Sequence, residues 1–406
     1  RLPHPRQARP RKQADLAAEF LALVEDAVRV RMVADVPVGA LLSGGVDSST
    51  VVAMMARMSG RPIKTFSVGF DEPGYDETAY ARQVADHVGS DHHVLRLGPD
   101  CTDILPKLAW HYGEPFADPS AIATTLVSEF ARREVTVVLN GDGGDESMLG
   151  YPRYQRALEW SGEMNRPGRL AARLLAHLPL ALQRGRIGRK LGFLAAKADE
   201  RASRRYAPSL MYFQENEKPD AYGAALRPFL DRSSLDLIEP YFTGIQSGAA
   251  GAAWADLHTY LPDDLLVKVD VASMAFGLEA RSPLLDHPLM EWAALLPAEQ
   301  KMWGGETKAL FKAAIEPLLP REVIYRPKMG FGVPVDRWLQ GPLKPLAYDL
   351  LTSERFRARG LIRPDWMEWA LEANSSGRAT LWHRIWALMV MELWYRTWID
   401  PATSPV

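Results

Sequence analysis

The chain carries a single cysteine, Cys101, among 406 residues. A lone thiol excludes an intramolecular disulfide framework and any cysteine-rich metal cluster, and it fits a reducing, cytoplasmic setting. No local Cys-His motif surrounds it, so a structural role is expected for it. Excess charge is missing too. The 48 basic residues nearly balance the 50 acidic ones and leave a net −2, which points to neither nucleic acid nor a membrane surface as the principal partner. Long apolar runs are also lacking. The most hydrophobic stretch, Leu381 to Ile399, contains His383, Arg384, Glu392 and Arg396, each costly inside a bilayer. Its Trp382, Trp386, Met389, Val390 and Leu393 recur at helical spacing, as a packed helix requires. No signal-peptide pattern is read. The string Gly-x-x-x-x-Gly-Lys-Ser/Thr does not occur, so a Walker-type loop is excluded. No internal repeat or low-complexity tract interrupts the chain.

What is present begins with Ala40-Leu41-Leu42-Ser43-Gly44-Gly45-Val46-Asp47-Ser48-Ser49-Thr50. Val36 to Leu42 is apolar and partly β-branched, Thr50 to Met58 is helical in pattern, and Ser43 to Ser49 must turn sharply between them. Glycines there allow an anion to approach the backbone closely, and the first N–H groups of the following helix point at it with the positive end of the macrodipole behind them. The serines add donors. A carboxylate at Asp47 repels phosphate unless a divalent cation lies between them, which argues for Mg²⁺. The alternative, a strand-to-helix turn capped by serine, needs neither the acid nor so many hydroxyls. The string resembles the pyrophosphate loop of the ATP pyrophosphatase superfamily, whose members split ATP into AMP and pyrophosphate.

The surrounding pattern alternates. A helix is expected over Ala14 to Met32, then a strand at Ile63 to Val68, a helix around Thr78 to Val88, a strand at His93 to Leu97, a helix across Ala121 to Arg132 and a strand at Val135 to Leu139. This rhythm implies an α/β fold with a doubly wound parallel sheet, whose ligands lie beyond the carboxyl ends of the strands. Residues 1–13 are basic and proline-rich and read as a linker. Residues 14–160 are expected to form the nucleotide-binding core, 161–250 a helical insertion, and 251–406 a mainly helical portion that completes the domain. From Trp254 onward the pattern is read as helical to the end, interrupted by loops at Gly304-Gly305 and Arg326 to Pro334.

A second constellation follows the strand at Val135 to Leu139: Asn140-Gly141-Asp142-Gly143-Gly144-Asp145-Glu146. Closely set acids repel one another unless they face a cation or a cationic substrate. Their place at a strand carboxyl end, like that of the Ser43 loop, suggests one shared site in which Asp47 and Asp145 hold Mg²⁺ between them. Lys268 and Asp264, four apart on a predicted helix, read as a surface pair.

Ordered strings along nearly the whole chain resemble the synthetase domain of the glutamine-dependent asparagine synthetases. They include Asp35-Val36-Pro37-Val38-Gly39, Thr65-Phe66-Ser67-Val68-Gly69-Phe70, Asp91-His92-His93, Glu114 to Ser120, the acidic loop ending in Gly150-Tyr151, Tyr260 to Asp270, Leu278-Glu279-Ala280-Arg281-Ser282-Pro283-Leu284-Leu285-Asp286, and Tyr325-Arg326-Pro327-Lys328-Met329-Gly330-Phe331. The resemblance implies that Ser43, Gly44, Gly45, Asp47, Ser48 and Ser49 bind the β- and γ-phosphates of ATP. Leu41, Val68 and Gly141 would line the nucleoside pocket, with Asn140 beside them in the ATP-binding set. Asp47 and Asp145 would ligate Mg²⁺. Asp142 falls near the acceptor substrate and is grouped with Glu146 and Lys328 as catalytic; Lys328 matches the lysine that stabilises charge at the reacting centre. Glu279, Arg281 and Asp286 either order the loop over the site or contact substrate. Two departures bear on the acceptor: Ser147-Met148-Leu149 replaces two bulky apolar residues and a glycine, and Val271 stands where the family commonly carries Arg.

The activity so implied is adenylation of the aspartate side-chain carboxylate, with pyrophosphate released, followed by attack of ammonia to give asparagine and AMP. Expected partners are the small molecules ATP, aspartate and ammonia, without nucleic acid or membrane; a homodimer is compatible with the sequence. The family draws ammonia from glutamine through an N-terminal domain that opens on cysteine. That glutaminase domain is not read here, and it is expected upstream or on another chain. Two alternatives remain: a specialised homologue that adenylates another carboxylate to close a β-lactam, cyclise a peptide, or amidate a sugar or polymer, and a non-catalytic nucleotide-binding scaffold.

Overall fold

The computed structural model describes residues 11–72, 74–159, 202–245, 248–330 and 332–400. The first ten positions of the expected linker, residue 160 of the expected core, and residues 161–201, 246 and 247 of the expected helical insertion lie outside the described residues. Helix α1, Gln13–Arg31, buries Leu16, Phe20, Val24, Ala27 and Val28, the three- and four-residue spacing that puts one stripe of a helix against a core. Strand β1, Val38–Leu41, leads through the serine-glycine turn into α2, Val46–Met58. That helix begins four residues before Thr50, because Gly45 takes an extended backbone and the turn is completed in four residues fewer than the pattern suggested. Strands β2, Lys64–Phe70, β3, Asp91–Leu97, and β4, Val137–Leu139, and helices α3, Thr78–Val88, and α5, Ala121–Arg132, fall where the alternation predicts; a further helix, α4, Leu105–Tyr112, precedes α5 in the chain.

A fifth strand, β5, Glu279–Arg281, corrects the expectation that the pattern after Trp254 is helical, interrupted only by loops at Gly304-Gly305 and Arg326 to Pro334. Glu-Ala-Arg has little strand propensity; the segment is extended because the free edge of β4 pairs with it, Val137 opposite Glu279 and Leu139 opposite Arg281. The sheet is parallel throughout, in the order β3-β2-β1-β4-β5. Successive strand residues face opposite sides. Ala40, Leu42, Val137 and Leu139 pack with α1, α2 and α3 on one face, while Phe66 and Val138 pack with Val127, Ala131, Val135 and Leu278 on the other. Apolar cover on both faces is what a doubly wound parallel sheet requires.

The chain divides into two compact units, each assembled from three segments. The first comprises Arg1–Cys101, Ser120–Leu158 and Ile245–Val333; the second comprises Thr102–Pro119, Glu159–Gly244 and Pro334–Val406. Residues 251–333, expected within the helical C-terminal portion, therefore belong with the sheet, because β5 and the helices around it complete the core of that unit. In the second unit the helix Trp382–Trp394 buries Ile385, Trp386, Leu388, Met389 and Val390, as its spacing indicated. Its fully buried Glu392 accepts hydrogen bonds from Arg359 and Arg396. Among the described residues no helix is long and apolar enough to cross a membrane.

Phe66 lies almost fully buried on β2, edge-on to Phe130 at 5.9 Å. Phe66→Ala is expected to lower the unfolding free energy by ~3–5 kcal/mol, read as the shift in a urea denaturation curve.

Candidate active site

Strands β2 and β3 lie on one side of β1, and β4 and β5 on the other. The chain thus reverses direction across the sheet between β1 and β4, and the loops leaving these two strands diverge around a crevice at their carboxyl ends. One is the turn Ser43–Gly45; the other is the acidic loop. Leu41 at the end of β1, Val68 on β2 and Gly141 after β4 stand at this same edge of adjacent strands, and Leu41 and Val68 pack on the Phe66 cluster.

The first loop is held by its own hydroxyls. Ser43 Oγ and Ser48 Oγ lie 3.0 Å apart, the Ser43 N–H donates to Ser48 Oγ at 3.2 Å, and the Gly45 N–H donates to Ser43 Oγ at 3.3 Å. No side chain caps the start of α2, which leaves its first N–H groups directed at the loop. Arg326 braces it from outside: its Nε donates to Gly44 O at 3.1 Å, its guanidinium pairs with buried Glu77 at 2.5 Å, and it lies 4.5 Å over the Tyr80 ring. Ser49 Oγ is buried with no hydrogen-bond partner.

The second loop runs against the first. A Cβ on Gly141 would stand 2.6 Å from Ser48 N, so only glycine lets the two backbones meet. Helix α6, Gly144–Met148, follows and carries Asp145 and Glu146. Asn140 at the end of β4 accepts from Ser282 Oγ at 2.7 Å, and its Nδ2 is buried with no partner.

Lys308 joins the two loops. Its Nζ lies 2.5 Å from both carboxylate oxygens of Asp47 and 2.7 Å from Asp145 Oδ1. Lys308 is buried and has φ +53°, a left-handed backbone that non-glycine residues adopt at a cost. Lys328 pairs with the other oxygen of Asp145 and lies 4.4 Å over the Tyr151 ring. The Tyr151 hydroxyl donates to Glu146 Oε1 at 2.5 Å.

These contacts spread the acidities apart. Burial alone would raise the Asp145 carboxyl, but Lys308 and Lys328 outweigh it and hold it at about 2. Burial pushes the Asp47 carboxyl up against the partial offset of Lys308. Asp142 rises to about 6 through burial, moderated by Lys268. Glu146 rises to about 7 through burial and the Asp145 charge beside it. Burial, with Lys308 nearby, brings the Lys328 ammonium below its ordinary value despite Asp145. Lys268 is buried with its charge toward Asp142, which corrects the reading of a helix-surface pair.

Glu279, Arg281 and Asp286 make a tie away from the phosphate loop. Arg281 donates to Glu279 at 2.8 Å and to the carbonyls of Arg31 and Val33 at 2.7 and 2.8 Å, and Asp286 pairs with Arg31 at 2.8 Å. They fasten β5 and the following turn to the end of α1, which favours the loop-ordering role. The structure therefore brings together Ser43 to Ser49, Asn140 to Glu146 and Lys328, and keeps the Glu279 group outside. Sequence reasoning missed Lys308, Tyr151 as a hydroxyl donor, and Arg326. The available signal for Lys308 was its place before a helix in Gly304-Gly305-Glu306-Thr307-Lys308.

Among the described residues no group of three His, Cys, Asp or Glu side chains is set to hold a metal ion. Asp47 and Asp145 nevertheless converge on one cationic atom, Lys308 Nζ. Two carboxylates beside the serine-glycine turn at a helix start fit Mg²⁺, which is usually bound through one or two carboxylates, waters and substrate phosphates.

Comparison with known proteins places this geometry. A profile of the asparagine synthase family matches residues 19–396. Asparagine synthetase [glutamine-hydrolyzing] 1 of Bacillus subtilis is 32% identical over 96% of this chain and 61% of its own length. A putative asparagine synthetase [glutamine-hydrolyzing] of Mycobacterium bovis is 32% identical over 95% of this chain and 58% of its own. An amidase of Penicillium rubens is 25% identical over 84% of this chain and 55% of its own. The chain thus spans about three fifths of the length of the two synthetases.

Lys308→Met leaves Asp47 buried against Asp145 with Lys328, on the far oxygen of Asp145, as the remaining ammonium, and is expected to destabilise the protein by ~3–5 kcal/mol. Adding Asp47→Asn to that variant should recover part of the loss, since it removes one of the stranded charges. Urea denaturation of the single and double variants gives the coupling, and strict additivity would rule out the bridge. Gly150→Ala, whose Cβ would lie 1.8 Å from Asp145 Oδ1 and 2.3 Å from Lys308 Cε, should lower the melting temperature of the same protein.

Proposed function

The chain belongs to the asparagine synthase family, and from that premise we propose that it is an ATP-dependent, AMP-forming carbon–nitrogen ligase that converts aspartate to asparagine. The observation that carries this reading is the juxtaposition, across the β1/β4 crevice, of a serine-glycine turn at a helix start with a lysine-bridged pair of carboxylates.

A carboxylate resists nucleophilic attack because its charge is delocalised and its leaving group would be oxide. Attack of the carboxylate oxygen on the α-phosphorus of ATP forms an acyl–O–P bond and breaks the bond to pyrophosphate. Ammonia then attacks the acyl carbon, AMP departs with the shared oxygen, and one proton is lost. In this scheme the loop from Ser43 to Ser49 and the first N–H groups of α2 bind the leaving pyrophosphate. Leu41, Val68, Gly141 and Asn140 would seat the nucleoside. Asp47 and Asp145 would hold Mg²⁺, which would neutralise phosphate charge and orient the leaving group when bound. Lys328, on a loop braced by Arg326, places its ammonium where charge accumulates at phosphorus, a contribution of the oxyanion-hole kind. Asp142, at about 6, is suited to take the proton lost from the nitrogen nucleophile near neutral pH. Glu146, bonded to Tyr151, holds the aromatic ring on which Lys328 rests. Positioning of acid, nucleotide and ammonia supplies much of the remaining rate.

The proposed nitrogen species is ammonia, and the proposed supplier is a glutaminase domain on this or another polypeptide, in keeping with the glutamine-hydrolyzing relatives. A second reading has one observation behind it: Val271, partly buried on the helix Val267–Met274, cannot offer the guanidinium that the family commonly carries there. A different carboxylate would then be adenylated by the same machinery.

Mg-ATP, ammonia and aspartate should yield AMP, pyrophosphate and asparagine in equal amounts, followed by mass spectrometry. AMP formed only with another carboxylate would transfer the assignment to the second reading, and AMP formed with no acid tried would leave a binding scaffold. Lys328→Ala should retain Mg-ATP binding and lose at least ~10²-fold in kcat, the loss typical of one charge-stabilising donor; an undiminished kcat would remove Lys328 from the chemistry.

A further inference from the structure

Helix α6 has only five residues, and a helix that short does not hold itself, since one turn fixes several residues for very few hydrogen bonds. Yet it sets the position of Asp145 and Glu146. Its ladder is brief: the Ser147 N–H donates to Gly143 O at 3.1 Å and the Gly150 N–H to Asp145 O at 2.8 Å. The chain then leaves through Leu149 at φ +59°. The carbonyl of Ser147 points out of the helix end and meets Lys301, whose Nζ donates to it at 2.9 Å from 154 positions along the chain.

Lys301 is 7% exposed, and among the described residues no ion pair joins it to a carboxylate. Burial alone pushes its ammonium down to about 7. With Ser147, Glu146, Leu149, Trp254 and Met290 it lines a cavity of about 30 Å³, room for about two waters. Ser147 Oγ, in the same wall, is buried with no hydrogen-bond partner. A buried amine of this kind is costly to keep, and an apolar side chain of equal length would recover that cost, which offsets the loss of the one hydrogen bond to Ser147 O. Its donor also complements the negative end of α6.

We propose that Lys301 is a positioning residue: through the Ser147 carbonyl it fixes α6, and so sets Asp145 opposite Asp47 for Mg-ATP. The proposal rests on the functional reading above, because Mg-ATP is the ligand whose binding reports the alignment.

The test compares wild type, Lys301→Met and Lys301→Arg in Mg-ATP binding by titration calorimetry and in thermal melting without ligand. Lys301→Met is expected to melt no lower than wild type yet bind Mg-ATP at least tenfold more weakly. Lys301→Arg, which keeps a donor and has the cavity to expand into, should recover most of the affinity. A residue that only packed the core would behave in reverse, with lower melting and unchanged affinity. Lys301→Met binding Mg-ATP as wild type does overturns the proposal alone. Wild-type protein that binds no Mg-ATP overturns the functional reading and this proposal with it.

Discussion

The contact on which the site depends is the ammonium of Lys308 held between Asp47 and Asp145. Two loops that each carry acid leave neighbouring strands and come within touching distance, Gly141 against Ser48. Without a cation, carboxylates brought this close in a dry crevice would either repel or take up protons. Lys308 removes that penalty while leaving Asp145 ionised. The lysine reaches this point only because its backbone is left-handed, φ +53°, a cost of order 1–3 kcal/mol that surrounding structure must offset. Its own neighbours do so: Ala309, Leu310, Phe311 and Lys312 behind it are all buried, and the Lys312 N–H closes on Lys308 O at 2.8 Å.

The same fact explains why the parallel sheet and the site cannot be separated. The crevice exists because β2 and β4 flank β1 on opposite sides, and its floor is closed by residues that alternate between two apolar clusters. β5 adds the outermost strand, and Arg281 on it collects the carbonyls of Arg31 and Val33 at the end of α1. That link fastens the strand beside the acidic loop to the helix beneath β1. Arg326 performs the matching service on the other side, from Glu77 to Gly44. The loops are thus braced from both flanks by arginines that touch backbone oxygen, where the planar guanidinium gives directional hold.

Much of this was legible in the sequence, for reasons that differ by element. The strands β1 to β4 declare themselves as short apolar or β-branched runs between turn residues, and helices such as Thr78–Val88 by apolar positions at helical spacing. The serine-glycine turn and the acidic loop stood out because serine, glycine and acid in those densities have few structural uses, and the structure sets them side by side. β5 was not, since Glu-Ala-Arg owes its extended form to the edge of β4 and carries no periodic signal of its own. Lys308 was missed for a related reason: its partner Asp47 is 261 positions away, and a place before a helix does not by itself mark a lysine as buried. Lys268 was misread because an i, i+4 charge pair looks alike on a surface and against a core. That residues 251–333 group with the sheet and the segments after them do not was not legible, because helical periodicity shows that a segment packs, and does not show against what.

The acidic loop shows how one short segment can supply acids of different character. Asp142, Asp145 and Glu146 lie within five positions, yet one is held at about 2 and the others rise to about 6 and about 7. Burial is the first cause at each, so burial cannot be what separates them. The difference is the number of ammonium groups in reach: Asp145 touches both Lys308 and Lys328, Asp142 feels Lys268 at longer range, and Glu146 is met by the Tyr151 hydroxyl with no ammonium in contact. A permanently ionised carboxylate suits a cation and the phosphates it carries, whereas carboxyls that titrate near neutrality suit proton transfer. The lysines therefore do more than neutralise the loop. By pairing with one acid and sparing its neighbours, they divide an anion-rich turn into a charged member and members that titrate near neutrality, and that division is what the proposed adenylation and amide formation would use.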